Sequence, residues 1–281
     1  MKVLSKKRKN GDEDLIITDM LLDILNSTDI YSTEWTLANY FLHSANNLKN
    51  IPIQTAADDC HVSEATVSRF IKRIGYNNYA ELRNSYMYSK NVNDLRVFNM
   101  NKESFSLLNN RPEQFLEEYK NEINQTLSNT TKSLDLKKID AFLKEIKEQN
   151  NIFIFGINTS KMFADIIQYN LINYGKTIYV GNTLDQQYNF AQNLQGSDLA
   201  IVISTFGNFL HEYSPLMSTI YDSNCKTILI TQNTGIQETY FFDYVIYFSD
   251  SNNTETGTYS MLLGIEYLVR RYSTLLNKDN S

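Results

Sequence analysis

At 281 residues the chain is too long for one small core and suits two domains. Hydrophobic residues make up 42% and charged residues 21%, the balance of a globular protein, and no apolar run approaches the roughly 18 residues of a membrane-spanning helix. The formal charge of −6 argues against a surface built for indiscriminate nucleic-acid binding, but it is unevenly spread: residues 1–90 carry 11 Lys and Arg against 11 Asp and Glu, residues 91–281 carry 15 against 21.

In chain order, the start MKVLSKKRKN is basic but leads into GDED and an amphipathic stretch rather than an apolar signal core, so the expected location is the cytoplasm. Residues 14–27 predict a first helix, with Leu21, Leu22, Ile24 and Leu25 apolar. Residues 33–47 predict a second, containing Trp35, Leu37, Tyr40, Phe41 and Leu42. Residues 54–60 predict a short third helix in which Ala56 and Ala57 permit a close neighbour. After His61 and Val62, Ser63 stands as an N-cap, its hydroxyl able to accept from the next turn. Val67, Phe70, Ile71 and Ile74 then form one apolar stripe, and Gly75 is the stop. The opposite face carries Ser63, Thr66, Ser68, Arg69, Lys72 and Arg73, and residues 79–90 supply a closing helix. A helix-turn-helix with a basic, hydroxyl-bearing second helix suits the DNA major groove, although spacing alone fits a solvated amphipathic helix equally well.

The residues carry more than spacing. Val62, Ser63, Ala65, Thr66, Val67, Arg69, Phe70 and Gly75 reproduce V-S-x-A-T-V-x-R-F-x-x-x-x-G, and this stretch resembles the N-terminal domain of the RpiR/MurR family of bacterial sugar-responsive regulators. The resemblance implies double-stranded DNA as a partner, read by that polar face.

Residues 91–111 have no clean period and many Asn, and read as a linker between a 1–90 helix-turn-helix domain and a 112–281 domain. Pro112 opens a helix with Phe115, Leu116, Tyr119, Ile123 and Leu127 at three- and four-residue steps, and residues 136–149 predict another. Beyond residue 150, β-rich runs at 152–155, 177–180, 199–203, 227–231 and 244–248 alternate with helices near 161–174, 185–194, 209–222 and 258–276. That alternation predicts a parallel sheet sandwiched by helices, whose ligands sit beyond the carboxyl ends of the strands. The fold class is therefore an all-α helix-turn-helix domain followed by an α/β domain. Cys60 and Cys225, one in each domain, read as buried free thiols.

Two strand-to-helix loops are rich in polar groups: Gly156, Ile157, Asn158, Thr159 and Ser160, and Ser204, Thr205, Phe206, Gly207 and Asn208. Hydroxyls and unpaired N–H groups at helix starts favour an anion, while ordinary βα turns use the same residue types. In this order the loops resemble those of the SIS domain, a phosphosugar-binding fold. The resemblance implies Gly156, Asn158, Thr159, Ser160, Ser204, Thr205, Gly207 and Asn208 as effector contacts and a phosphorylated sugar as effector. Two departures stand out. Asn158 replaces the second glycine of G-x-G-x-S, and Phe206 and Phe209 replace hydroxyl residues of the second loop, so a pocket with fewer phosphate donors and more apolar surface is expected. His211 lies within reach of such an anion or on the surface, and Thr254, Glu255 and Thr258 precede the last helix, where the pocket would close.

Three function classes compete: a transcription regulator, a SIS-type sugar-phosphate isomerase, and a binding protein with a degenerate pocket. Isomerisation needs a placed general base, which no constellation around the loops supplies. The regulator reading calls for no catalytic residue, cofactor, metal or membrane. It does call for a homodimer or homotetramer, because one headgroup of few positive charges binds DNA weakly.

Overall fold

The computed structural model describes residues 13–44, 47–88, 100–249 and 256–277. The basic residues 2–9, Thr254, Glu255 and residues 91–99 of the expected linker lie outside the described residues. The chain divides into two compact units between Asp94 and Leu95.

The first unit contains α1 (Glu13–Ser27), α2 (Thr33–His43), α3 (Ile53–Asp59), α4 (Glu64–Arg73) and α5 (Tyr79–Tyr88). Ser32 caps α2 by accepting from the Trp35 N–H. Asn78 and Glu81 form a capping box on α5: the Asn78 Oδ1 accepts from the Glu81 N–H, and a Glu81 carboxylate oxygen accepts from the Asn77 N–H. The apolar stripe of α4 is buried as its period requires, with Val67, Phe70 and Ile71 against Leu37, Phe41, Ala56, Ala57 and Leu82. The Phe41 and Phe70 rings stack at 6.0 Å. Two tyrosine hydroxyls tie the framework: Tyr40 donates to Asp59 at 3.0 Å and Tyr79 to the Ile51 carbonyl at 2.8 Å.

The second unit starts earlier than the sequence suggests. Residues 102–110, read as linker, form α6 (Lys102–Asn110), because Asn101 caps it from its Oδ1 to the Ser104 N–H. Helices α7 (Pro112–Ser133) and α8 (Leu136–Glu148) follow. Then come β1 (Ile152–Phe155), α9 (Asn158–Leu171), β2 (Ile178–Val180), α10 (Leu184–Asn193), β3 (Leu199–Ile203), α11 (Asn208–Glu212), α12 (Ser214–Asp222), β4 (Lys226–Thr231), β5 (Tyr244–Tyr247) and α13 (Tyr259–Asn277). The single helix expected over 209–222 is two, broken at Tyr213. Pro215 has no N–H to donate and its ring collides with a carbonyl one turn back, so it opens a helix here instead of continuing one.

The strands pair in parallel in the order β2-β1-β3-β4-β5. Alternation decides the two faces: Ile152, Ile154, Ile201, Ile203, Ile228, Ile230 and Ile246 pack on α8, α9 and α13. Phe153 points to the other face and meets Phe190 of α10 at 5.6 Å. All five residues of the central β3 are buried. Cys60 and Cys225 are free and buried, and burial pushes the Cys60 thiol up to about 11. Among the described residues no helix is long and apolar enough to cross a membrane.

Candidate functional site

The polar face of α4 is presented by its own cap. Ser63 Oγ accepts from the Thr66 N–H at 3.2 Å and lies 2.9 Å from Thr66 Oγ1, which in turn accepts from Arg69 Nη2 at 3.2 Å. One hydroxyl-to-guanidinium chain therefore sets the Arg69 rotamer and leaves most of its donors outward. Ser63, Arg69, Lys72 and Arg73 are exposed, and Thr66 and Ser68 are half-buried. Arg73 differs from its neighbours in being ion-paired with Glu34 of α2, both side chains 43% exposed. Arg83, part of the same basic stretch, donates to the Lys49 carbonyl, so its charge serves the fold. The turn ahead of α4 is built by His61, whose φ of +54° closes the end of α3: its N–H donates to Asp58 and the Val62 N–H to Ala57.

In the second unit the order β2-β1-β3 reverses direction between β1 and β3, and a parallel sheet opens a crevice at such a point. The 156–160 and 204–208 loops flank it. Instead of standing apart, they are bonded together: Ser160 Oγ lies 3.0 Å from Thr205 Oγ1 and accepts from the Thr205 N–H at 3.2 Å. Both residues are buried. Gly156, expected to offer a bare N–H, donates to Gln187 Oε1 at 3.1 Å, while Gln187 Nε2 donates back to the Gly156 carbonyl at 2.8 Å. A Cβ at Gly156 would meet the Ile203 carbonyl and the Ser160 side chain, each at 3.1 Å, so the position needs glycine for close approach. Asn158, in place of the second glycine, holds φ at +49°, a conformation that asparagine tolerates better than most residues. The substitution therefore keeps the backbone turn. Asn158 and Thr159 are exposed at the N-terminus of α9.

On the second loop Ser204 is 1% exposed, and its hydroxyl has no hydrogen-bond partner among the described residues. Gly207 adopts φ +93°, and Asn208 is exposed. Thr205 is held from the neighbouring strand as well, its carbonyl accepting from the Gln232 N–H at 3.2 Å and from Thr231 Oγ1 at 3.3 Å. Beside this loop lies a cleft of about 350 Å³, bounded by Phe206, Asn208, His211, Asn233 and Glu238. Asn233 Nδ2 donates to the Phe206 carbonyl at 2.7 Å and fixes one wall. His211 Nδ1 lies 3.2 Å from Glu238 Oε1 at its rim. The two substituted rings part company: Phe206 borders the cleft, while Phe209 is buried on Tyr213 with centroids 5.1 Å apart. Thr258 accepts the Leu262 N–H at the start of α13.

Sequence reasoning missed Gln187, Gln232 and Asn233. Each is an amide side chain that donates its N–H to a backbone carbonyl 25 or more residues away, which no local pattern marks.

Residues 20–88 match the family model described as "Helix-turn-helix domain, rpiR family". The chain is 26% identical over 269 residues to a protein of Providencia stuartii named "Uncharacterized HTH-type transcriptional regulator in aarA 3'region", covering 94% of this chain and 93% of that one. It is 22% identical over 217 residues to an HTH-type transcriptional regulator of Haemophilus influenzae, covering 76% and 74%. Among solved structures it is similar to the Vibrio vulnificus NanR protein complexed with ManNAc-6P, at 17% identity and a TM-score of 0.48 over 94% of this chain and 92% of that one.

Proposed function

Since residues 20–88 are a helix-turn-helix domain of the rpiR family, we propose that this protein is a DNA-binding transcription regulator, not an enzyme, whose α/β unit responds to a phosphorylated sugar. One observation carries the reading. The Ser63–Thr66–Arg69 chain of contacts stands on the outer face of α4, and its inner face is spent on the core. Laid in a major groove, such a helix offers Arg69 to a guanine edge and Lys72 to a phosphate, with Ser63 and Ser68 as further contacts. Arg73 contributes less, because Glu34 already answers its charge. Paired half-sites, supplied by a homodimer or homotetramer, compensate for a headgroup with few cations.

The effector would enter at the loops of the sheet. Asn158, Thr159 and Asn208 are the groups exposed there to meet it, whereas Gly156, Ser160, Ser204, Thr205 and Gly207 shape the loops from within. A bound anion changes DNA affinity only through its differential affinity for two arrangements of the assembly.

The test is fluorescence anisotropy on DNA fragments recovered by genomic pull-down. Arg69→Ala or Lys72→Ala is expected to weaken binding by about 1–3 kcal/mol if the residue reads a base, and less if it touches only phosphate. Arg73→Ala is expected to cost less than Arg69→Ala. Unchanged affinity in both the Arg69 and Lys72 variants would remove α4 as the reading helix. Titration calorimetry with a panel of sugar phosphates tests the effector separately, and no heat with any of them counts against it.

A further inference from the structure

Helices α3 and α4 together are electrically neutral: residues 53–74 carry Asp58, Asp59 and Glu64 against Arg69, Lys72 and Arg73. Sequence-independent attraction to DNA grows with the number of phosphates that unanswered cations neutralise, so it matters which of these three is answered. Arg69 is held by the Thr66 hydroxyl, a neutral group that leaves its charge intact. Arg73 is the one that α2 engages, through Glu34. Its position suits a DNA contact nonetheless. Four residues on from Arg69, it lies about 40° round the helix and about 6 Å along it, on the same outward face. Helix geometry also makes the pair separable. Glu34 stands in the first turn of α2 and Arg73 in the last turn of α4, where each charge is favoured by its own helix dipole, and both side chains are 43% exposed. Such a pair opens at small cost, and a phosphate is a rival acceptor for the guanidinium.

We infer that Glu34 sets the sequence-independent part of DNA affinity by competing with phosphate for Arg73. The inference rests on the regulator reading and adds to it a residue of α2, outside the helix that meets the bases. While Glu34 holds the guanidinium, α4 brings two unanswered cations to the duplex, Arg69 and Lys72; without Glu34 it brings three. Because a phosphate contact carries no base information, the effect is the same on every sequence. A carboxylate at position 34 therefore keeps binding weak away from the operator, and leaves the operator to be held by base contacts and paired headgroups.

The experiment is fluorescence anisotropy of the full chain on a scrambled duplex and on the fragments recovered by genomic pull-down, between about 50 and 200 mM salt. Glu34→Gln keeps the shape of the side chain and removes its charge. It is expected to tighten binding to both DNAs by about threefold per headgroup, and to steepen the fall of log affinity with log salt by about 0.9 per headgroup. In an Arg73→Ala background the same substitution is expected to do neither, because the cation it frees is gone. An unchanged salt slope in Glu34→Gln, or a gain confined to the recovered fragments, would overturn the inference. So would a gain of equal size in the Arg73→Ala background, which would assign the effect to repulsion by Glu34 itself. Trp35, the next residue along α2, reports by its fluorescence that each variant is folded, and Glu34→Ala replaces Glu34→Gln if that variant is not. A wild type that binds neither DNA at any of these salts sinks the regulator reading and the inference with it. Binding that responds to Arg69→Ala but not to Glu34→Gln sinks the inference alone.

Discussion

Ser160 and Asn158 stand two positions apart on one loop, and the structure puts them to different uses. Ser160 is committed: its Oγ accepts from the Thr205 N–H and pairs with the Thr205 hydroxyl, both inside the protein. Ser160→Ala would leave a buried N–H and a buried hydroxyl without partners, at about 1–3 kcal/mol. Urea unfolding followed by far-ultraviolet circular dichroism is expected to show that loss, while Thr159→Ala, at an exposed position, stays within about 0.5 kcal/mol of wild type. Equal midpoints for the two variants would mean that the hydroxyl pair contributes nothing. It follows that loss of effector response in Ser160→Ala would report on the scaffold as much as on the ligand, and the exposed Thr159 and Asn208 are the cleaner probes. Asn158 also shows how a departure from a family pattern is to be judged. The position demands a positive φ more than it demands glycine.

At the scale of the element, the helix-turn-helix is a local construction with one strained joint. The turn between α3 and α4 needs a left-handed residue, and His61 occupies it at φ +54°. Glycine adopts that conformation without the cost a Cβ imposes, about 1–2 kcal/mol. His61→Gly is therefore expected to raise the unfolding midpoint of the first unit by up to about 1 kcal/mol, part of the gain being lost to the freer unfolded chain. Trp35 is the chain's sole tryptophan and lies on α2, so its fluorescence reads this unit alone. A lower midpoint would show that the histidine ring holds the turn by contacts stronger than the strain. Helices α11 and α12 make the converse point. Their break is written in the chain as Pro215, but a periodicity read across 209–222 runs over it.

At the scale of the whole molecule, phenols whose titration is raised in the fold are expected to make stability fall at high pH. Burial, and then the bond to Asp59, pushes Tyr40 up to about 12, and burial raises Tyr79 as well. A raised acid binds its proton more tightly folded than unfolded, so its contribution is complete below the unfolded value near 10 and disappears as pH rises through 12. Denaturant titrations between pH 8 and pH 11.5, read by Trp35, are expected to show falling stability above about pH 10. Tyr40→Phe should flatten that fall, and an unchanged slope would assign it to other groups.

What the chain announces by itself are the features made by neighbours in sequence. Ser63 caps α4, Val67, Phe70 and Ile71 bury its inner stripe, and strand–helix alternation after residue 150 dictates a parallel sheet; each rests on contacts one turn or one strand away. Tertiary structure alone decided that Arg73 answers Glu34, that Ser160 is spent on Thr205, that Gln187 closes Gly156, and that Phe209 turns inward while Phe206 does not. Those partners lie between 4 and 45 residues apart. A side chain's residue type records which bonds it is able to make, and the fold determines which of them is within reach.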